Sequence, residues 1–407
     1  MTAFDYAGFF DWQLAQLHRE GRYRRFRHLQ RGARPFPWAT WLPETGAPRD
    51  IVVWCSKDYL GMSQHPCVRE AAAEALARYG SGAGGTRAIS GTHEPLVQLE
   101  AELAAWHRKS AALVFSSGYV ANDTTLATLG RRLPGCTIYS DAHNHASMIE
   151  GIRRSGATCE IFAHNDPQHL QSLLARSDPS RPRIVAFESL YSMDGDIAPL
   201  ADLVAVARAH GALTYVDETH AVGVHGPEGA GLVAAAGLLD QVDIIQGGLG
   251  KAVGAVGGFI TASAGIIDFV RSFAPGFIFT TALPPAVAAA ALASVRHLRS
   301  SETERLRLWN RVAAVRAVLE QVGLRPLNDA AQILPLLVGD ARRCERLAER
   351  LLTEFGIYLQ PINYPTVPKH TERLRITPTA LHTDDMLASL RIALAACLPQ
   401  LLMAPAA

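Results

Sequence analysis

Only four lysines occur in the 407 residues, Lys57, Lys109, Lys251 and Lys369. Lys251 alone stands in a glycine-rich turn, GGLGKAVG (247–254), after an apolar run and inside a long uncharged stretch. A lysine in an apolar pocket has a lowered pKa and can form a Schiff base; a satisfied surface lysine is the plainer reading. The turn does not match a Gly-x-x-x-x-Gly-Lys-Ser/Thr phosphate loop. Three further segments carry chemistry. VDETH (216–220) offers Asp217, a carboxylate able to pair with a protonated heterocyclic nitrogen, and His220, although Asp-x-x-His is equally a helix cap with a surface histidine. SSGYVAND (116–123) reads as a small-residue turn opening a helix, whose free N–H groups and dipole would bind an anion such as phosphate. SDAHNHASMIEG (140–151) supplies a histidine that could stack on a flat ring or simply cap a helix. Together they ask for a flat, phosphorylated, nitrogen-heterocyclic aldehyde, which pyridoxal 5'-phosphate (PLP) is. Asp217 precedes Lys251 by 34 residues, an order that suits this reading.

The elements around these segments explain how they could meet. Leu96, Leu99, Leu103 and Trp106 share one helical face and lead into AALVF. TIYSD, RIVAFES, ALTYVDE and VDIIQGG are short, apolar and β-branched, as strands covered on both faces should be. Leu200, Leu203, Val204 and Ala207 mark a helix ended by Gly211, directly before ALTYVDE. This alternation predicts an α/β domain with a mainly parallel sheet, and functional groups just past the C-terminal ends of its strands. Beyond about residue 295, Arg/Leu/Ala helices and the short strands ILPLLV and RLRIT predict a smaller α+β domain. The expected division is an N-terminal helix and arm (1–52), a large PLP-binding α/β domain (53–294) and a C-terminal α+β domain (295–407).

Composition bounds the partners. Lys plus Arg is 39 and Asp plus Glu 38, a balance that argues against a nucleic-acid or membrane-surface protein. The 48% apolar fraction excludes disorder. The six cysteines form no Cys-x-x-Cys pair, so neither a zinc site nor a disulfide framework is expected, and a reducing compartment suits them. No metal is expected. The N-terminus lacks a signal-peptide pattern, and the uncharged run from Phe273 to Val295 is broken by Pro275, Pro284 and Pro285. It reads as a β-rich piece, FIFTT, followed by an Ala-rich helix opened by Pro285. The protein is thus expected to be soluble and cytoplasmic. Seven arginines between 19 and 34 suggest a solvated helix and arm, with a nucleic-acid arm as the competing reading.

The motifs EGRYRRF, VWCSKDYLGM, GAGGTRAISGT, VFSSGYVAND, NHASMIEGIRRSG, FESLYSMDGD, VDETHAVG, APGFIFTTALPP, QPINYPTVP and ERLRITP run through nearly the whole chain. They resemble those of the α-oxoamine synthases, and within them the branch that condenses glycine with succinyl-CoA. The resemblance implies a fold-type-I PLP transferase, homodimeric with shared active sites, that releases 5-aminolevulinate, CoA and carbon dioxide for tetrapyrrole and heme synthesis. It implies Lys251 as the Schiff-base lysine and general base, Asp217 as partner of the pyridine nitrogen, His145 stacked on the ring and His220 near its phenolic oxygen. Ser117, Gly118 and Tyr119 would form the phosphate turn, with Thr280 and Thr281 reaching the phosphate from the other subunit. Ser192 and Arg375 would hold the amino-acid carboxylate, Arg24 and Thr86 the succinyl carboxylate, and Lys57 and Ser140 complete the substrate set.

The sequence departs from the family pattern at four places. Lys57 stands where the family has an Asn that touches the amino-acid carboxylate; a lysine supplies charge without the amide's geometry. Ala88 replaces an Asn near the acyl carboxylate. Gly248 replaces a Thr, deleting a hydroxyl donor to phosphate worth about 1.5–3 kcal/mol. Thr219 stands where Val or Ala packs beside the ring, bringing a hydroxyl that needs a partner. Four changes in one pocket imply a divergent enzyme with altered contacts; another amino acid or acyl-CoA, or a non-catalytic dimer partner, are the alternatives.

Overall fold

The computed structural model describes residues 3–32 and 34–401; Met1, Thr2, Ala33 and 402–407, at the ends and within the arm of the expected domains, lie outside the described residues. Two compact units are present, one made of 57–192 and 196–306, the other of the chain up to Ser56, Met193–Gly195 and the chain from Arg307 on.

The larger unit is built on a seven-stranded sheet in the order Ala111–Phe115, Gly258–Ala262, Ile244–Gly248, Leu213–Asp217, Arg183–Glu188, Thr137–Asp141, Thr158–Phe162. The last five are mutually parallel, and only Gly258–Ala262 runs against its neighbours. Every residue of Arg183–Glu188 is buried, because the side chains that alternate along it enter a core on each face. Val185 and Phe187 pack with Tyr139, Leu203 and Val216 on one side. Ile184 and Ala186 pack with Ile138, Met148, Tyr215 and Ile260 on the other. The helices Gly118–Arg132, Ala146–Ser155, Pro167–Ala175 and Leu200–Ala209 fill the crossovers. The chain therefore leaves four strands at one edge just before each chemically marked segment: Phe115 before Gly118, Asp141 before His145, Asp217 before His220, Gly248 before Lys251.

The expected strand in FIFTT is not formed. Pro275 opens a short helix, Pro275–Ile278, and the Thr280 hydroxyl donates to the Gly276 carbonyl at 2.6 Å. Phe277 is buried edge-on against Phe115, with ring centroids 5.5 Å apart. A proline at the first helical position and one tertiary contact outweigh the β-branched and aromatic composition. The Ala-rich segment is the helix Pro285–Ser300, opened by proline as its sequence predicts. No helix among the described residues is long and apolar enough to cross a membrane.

The smaller unit holds a four-stranded sheet (His28–Gln30, Trp38–Leu42, Arg49–Val53, Ile357–Tyr358) and a three-stranded antiparallel one (Leu334–Leu337, Arg373–Ile376, Pro361–Ile362). Val52, Trp54, Leu347, Leu351 and Leu390 share its core. Several of the N-terminal arginines have partners within it. Arg22 lies over the Tyr364 ring at 4.5 Å, Arg34 over Trp38 at 3.6 Å, and Arg27 pairs with Glu349.

Candidate active site

Asp217 is the last residue of its strand and 5% exposed. Its Oδ2 accepts from Asn122 Nδ2 at 2.7 Å and its Oδ1 from the Thr219 N–H at 2.8 Å. Asn122 is held in turn, its Oδ1 accepting from the Tyr215 hydroxyl and its Nδ2 donating to Ser147 Oγ at 3.0 Å. Two other acids lie nearby. Burial, reinforced by the Asp217 charge, pushes the Glu188 carboxyl well up. Burial likewise pushes Glu218 up to about 7. Each Asp217 oxygen has its own donor, one from a side-chain amide and one from a backbone N–H, which fixes the carboxyl group in place.

His145 caps the Ala146–Ser155 helix, its Nδ1 facing Ser147 Oγ at 2.8 Å, and its N–H donates to Glu188 Oε1 at 2.7 Å. Burial lowers its pKa; the Asp217 charge opposes this, and the Lys251 and Lys57 charges add to the lowering. His145 is thus a neutral imidazole at neutral pH, and Lys57, Lys251 and Asp217 all act on it. Tyr119 meets it edge-on, with centroids 6.4 Å apart. His220 is 6% exposed, and its Nδ1 is 2.8 Å from the Tyr59 hydroxyl.

Lys251 follows the strand Ile244–Gly248 in a turn closed by the Gly254 N–H on the Lys251 carbonyl at 2.9 Å. The turn is seated tightly: a Cβ at Gly254, where φ is +71°, would stand 2.3 Å from Ser63 N.

The 15-residue helix Gly118–Arg132 points its N-terminus at the same edge. Ser117 Oγ accepts from the Val120 N–H at 3.1 Å and the Ser117 carbonyl from the Ala121 N–H at 3.0 Å. The Gly118 and Tyr119 N–H groups lie in the first turn, where a helix has no acceptor of its own to offer. A side chain at Gly258 would place its Cβ 2.4 Å from Gly118 N, so the helix start is pressed onto backbone alone. Beside it, Thr219 finds the partner its hydroxyl requires, donating to Gln246 Oε1 at 2.9 Å. A backbone cradle with free N–H groups, one buried carboxylate, a neutral histidine and a lysine fit the phosphate, the ring nitrogen, the ring face and the aldehyde carbon of PLP, respectively.

The remaining residues are placed less centrally. Ser140 is buried and receives Asn144 Nδ2 at 2.9 Å. Ser192 is 6% exposed, four residues past the strand that ends at Glu188. Thr86 and Thr281 form an isolated antiparallel bridge, Thr281 is exposed, and Ala88 is exposed in a π-type turn, Arg87–Gly91. Arg24 and Arg375 belong to the smaller unit. There Arg24 donates to the Thr366 hydroxyl at 2.6 Å, and Arg375 lies on its sheet 3.8 Å from Met193 Sδ. Sequence reasoning did not single out Asn122, Tyr59, Ser147, Glu188 or Gln246. Asn122 and Tyr59 do sit inside the quoted VFSSGYVAND and VWCSKDYLGM.

Residues 49–394 match the family model described as aminotransferase class I and II, and the chain belongs to that family. It is 53% identical to a 5-aminolevulinate synthase of Bradyrhizobium diazoefficiens over 96% of this chain and 95% of that one. It is 54% identical to that of Rhizobium meliloti over 93% and 94%. Among solved structures, a serine palmitoyltransferase from S. paucimobilis with PLP and myriocin bound superposes with a TM-score of 0.90 at 31% identity, covering 98% of this chain and 99% of the other. An 8-amino-7-oxononanoate synthase from Francisella tularensis gives 0.71 at 26%, over 84% and 96%.

Proposed function

We propose that this protein is a PLP-dependent acyltransferase of the 5-aminolevulinate synthase kind, condensing glycine with succinyl-CoA and releasing 5-aminolevulinate, CoA and carbon dioxide for tetrapyrrole synthesis. The observation that carries it is Asp217, fixed by Asn122 and the Thr219 N–H at the strand end beside the Lys251 turn. Relatives called 5-aminolevulinate synthase at 53% and 54% identity direct it to this substrate pair.

When bound, PLP supplies an electron sink for negative charge formed at the amino-acid Cα. Asp217 keeps a proton on the pyridine nitrogen by offering its carboxylate. The Gly118 and Tyr119 N–H groups, with Ser117 beside them, bind the phosphate at the positive end of the helix. Thr280 and Thr281 reach the phosphate of a partner subunit in a homodimer. His145, its pKa lowered chiefly by burial, stacks on the ring without competing with Asp217 for a proton. The Tyr59–His220 pair borders the phenolic oxygen. Lys251 Nζ would hold the aldehyde carbon of PLP and, with glycine in the site, would serve as the general base for the Cα proton. Lys57, Ser192 and Arg375 take the glycine carboxylate and Arg24 and Thr86 the succinyl carboxylate, with Ser140 completing the substrate set. The catalytic unit spans about 53–294, between an arm (1–52) and a C-terminal domain (295–407), and works in the cytoplasm.

The test is mass analysis of the product formed from glycine and succinyl-CoA by the holoenzyme. 5-Aminolevulinate that disappears in Lys251→Ala supports the proposal. A different aminoketone, obtained only with another amino acid or acyl-CoA, overturns the substrate assignment.

A further inference from the structure

A second cluster of chemically capable side chains lies apart from the residues just described. His65 caps the helix Pro66–Tyr79, and Cys67 is that helix's second residue. His297 is in the last turn of the Pro285–Ser300 helix. One ligand atom from each lies within 4.8 Å of the others. His65 Nδ1 is 3.0 Å from Cys67 Sγ, and the two imidazole centroids are 4.3 Å apart. Glu304, on the next helix, faces both rings, its Oε1 3.9 Å from His65 Nε2 and its Oε2 3.2 Å from His297 Nε2. That His297 nitrogen is sealed from solvent and faces the Glu304 carboxylate.

We propose that His65, Cys67 and His297, with Glu304 beside them, form a binding site for a single divalent metal ion of the zinc type. Zinc takes imidazole nitrogen at about 2.0 Å and thiolate sulfur at about 2.3 Å in a tetrahedron, so ligand atoms about 3.3–3.5 Å apart are wanted. The present spacing brackets that value and needs only rotamer adjustment. Two imidazoles and one thiolate suit zinc better than magnesium or calcium, which prefer oxygen. Glu304 fills the fourth position or orients a ligand ring through its far nitrogen. Binding releases the Cys67 thiol proton to solvent. The sequence concealed the site because its ligands come from two distant segments of the chain and share no Cys-x-x-Cys spacing.

Its position gives the ion a structural consequence. It would tie the start of one helix to the end of another that packs along it. The segment leading into His65 also carries Lys57, Tyr59 and the Met62–Ser63 backbone on which Gly254 of the Lys251 turn is seated. A metal at His65 therefore braces the floor of that turn.

The experiment uses the PLP-loaded full chain, stripped with a chelator and titrated with Zn²⁺ against a chromophoric competitor. One zinc per chain is expected, with a raised melting temperature. Cys67→Ser and His297→Asn should each weaken binding by more than about a hundredfold, and Glu304→Gln by about 10–100-fold. Cys159→Ser, at an exposed cysteine elsewhere, should bind as the native chain does. Cadmium NMR of the native chain gives a reading that needs no variant: a shift typical of mixed sulfur and nitrogen ligation is expected. No stoichiometric zinc, binding indifferent to Cys67→Ser, or a cadmium shift typical of oxygen ligands would each overturn the proposal.

Discussion

The Cγ2 methyl of Thr219 stands 2.7 Å from the point that a Cβ on Gly248 would occupy, so the two positions are one structural choice. A side chain at 248 collides with the methyl at 219. The threonine hydroxyl missing from 248 has its counterpart at 219, where it is spent on Gln246. Two of the four departures from the α-oxoamine synthase pattern thus lie against each other in one pocket.

Gly248→Thr alone should overpack the pocket, costing about 1–3 kcal/mol. A lower melting temperature and at least roughly tenfold weaker PLP binding are expected. Thr219→Ala in the same chain should restore both. If Gly248→Thr is tolerated as well alone as in the double variant, the pairing is wrong.

Asn122 touches Asp217, Tyr215 and Ser147, so Asn122→Ala removes a bond to a buried anion and strands its partners. Hydrogen bonds to charged groups contribute about 1.5–3 kcal/mol. A roughly ten- to hundredfold loss in kcat/KM is expected, with secondary structure unchanged by circular dichroism. Unaltered kinetics would mean that Asp217 does not depend on Asn122.

Glu218 gives a pH signature. Burial pushes its carboxyl from an ordinary 4.5 up to about 7. The folded state holds this proton more tightly than the unfolded state, so the group's contribution is fully present below about 4.5 and is lost as pH rises through about 7. Glu218→Gln, which keeps an acceptor for the Val233 N–H, should match the native chain near pH 4.5 and become the more stable protein toward pH 8. The gap is on the order of 3 kcal/mol. Urea melts across that range decide it; a pH-independent difference would contradict the assignment.

His164 gives the opposite case for a base. Burial opposes its protonation, but hydrogen bonds to Asp141 and Asp196, both 2.8 Å away, outweigh it and push its pKa up to about 10. The stabilisation is full below about 6.5 and disappears as pH rises through about 10. His164→Asn leaves the buried Asp141 and the partly buried Asp196 carboxylates without their cation, at a cost of about 3–5 kcal/mol near pH 6. Thermal melts should show this deficit shrinking above pH 9.

The strand-end placement of Asp217, His145, Gly118 and Lys251 is legible in the sequence, because apolar runs alternating with helical periods fix which ends of a parallel sheet carry loops. What holds those residues is less legible. Asn122, Tyr59 and Gln246 come from three separate elements, and no local pattern says that their side chains converge on Asp217, His220 and Thr219. FIFTT misleads for a related reason: its composition is that of a strand, but Pro275 and the Phe277–Phe115 contact decide it. The His65–Cys67–His297 cluster is invisible to spacing because 230 residues separate its last two members.

The most direct test of the central claim is the visible absorption spectrum of the protein with PLP, before and after glycine. The account predicts a lysine-bound PLP band that is lost in Lys251→Ala and shifts on adding glycine. A protein that binds no PLP, or whose band ignores glycine, would contradict it.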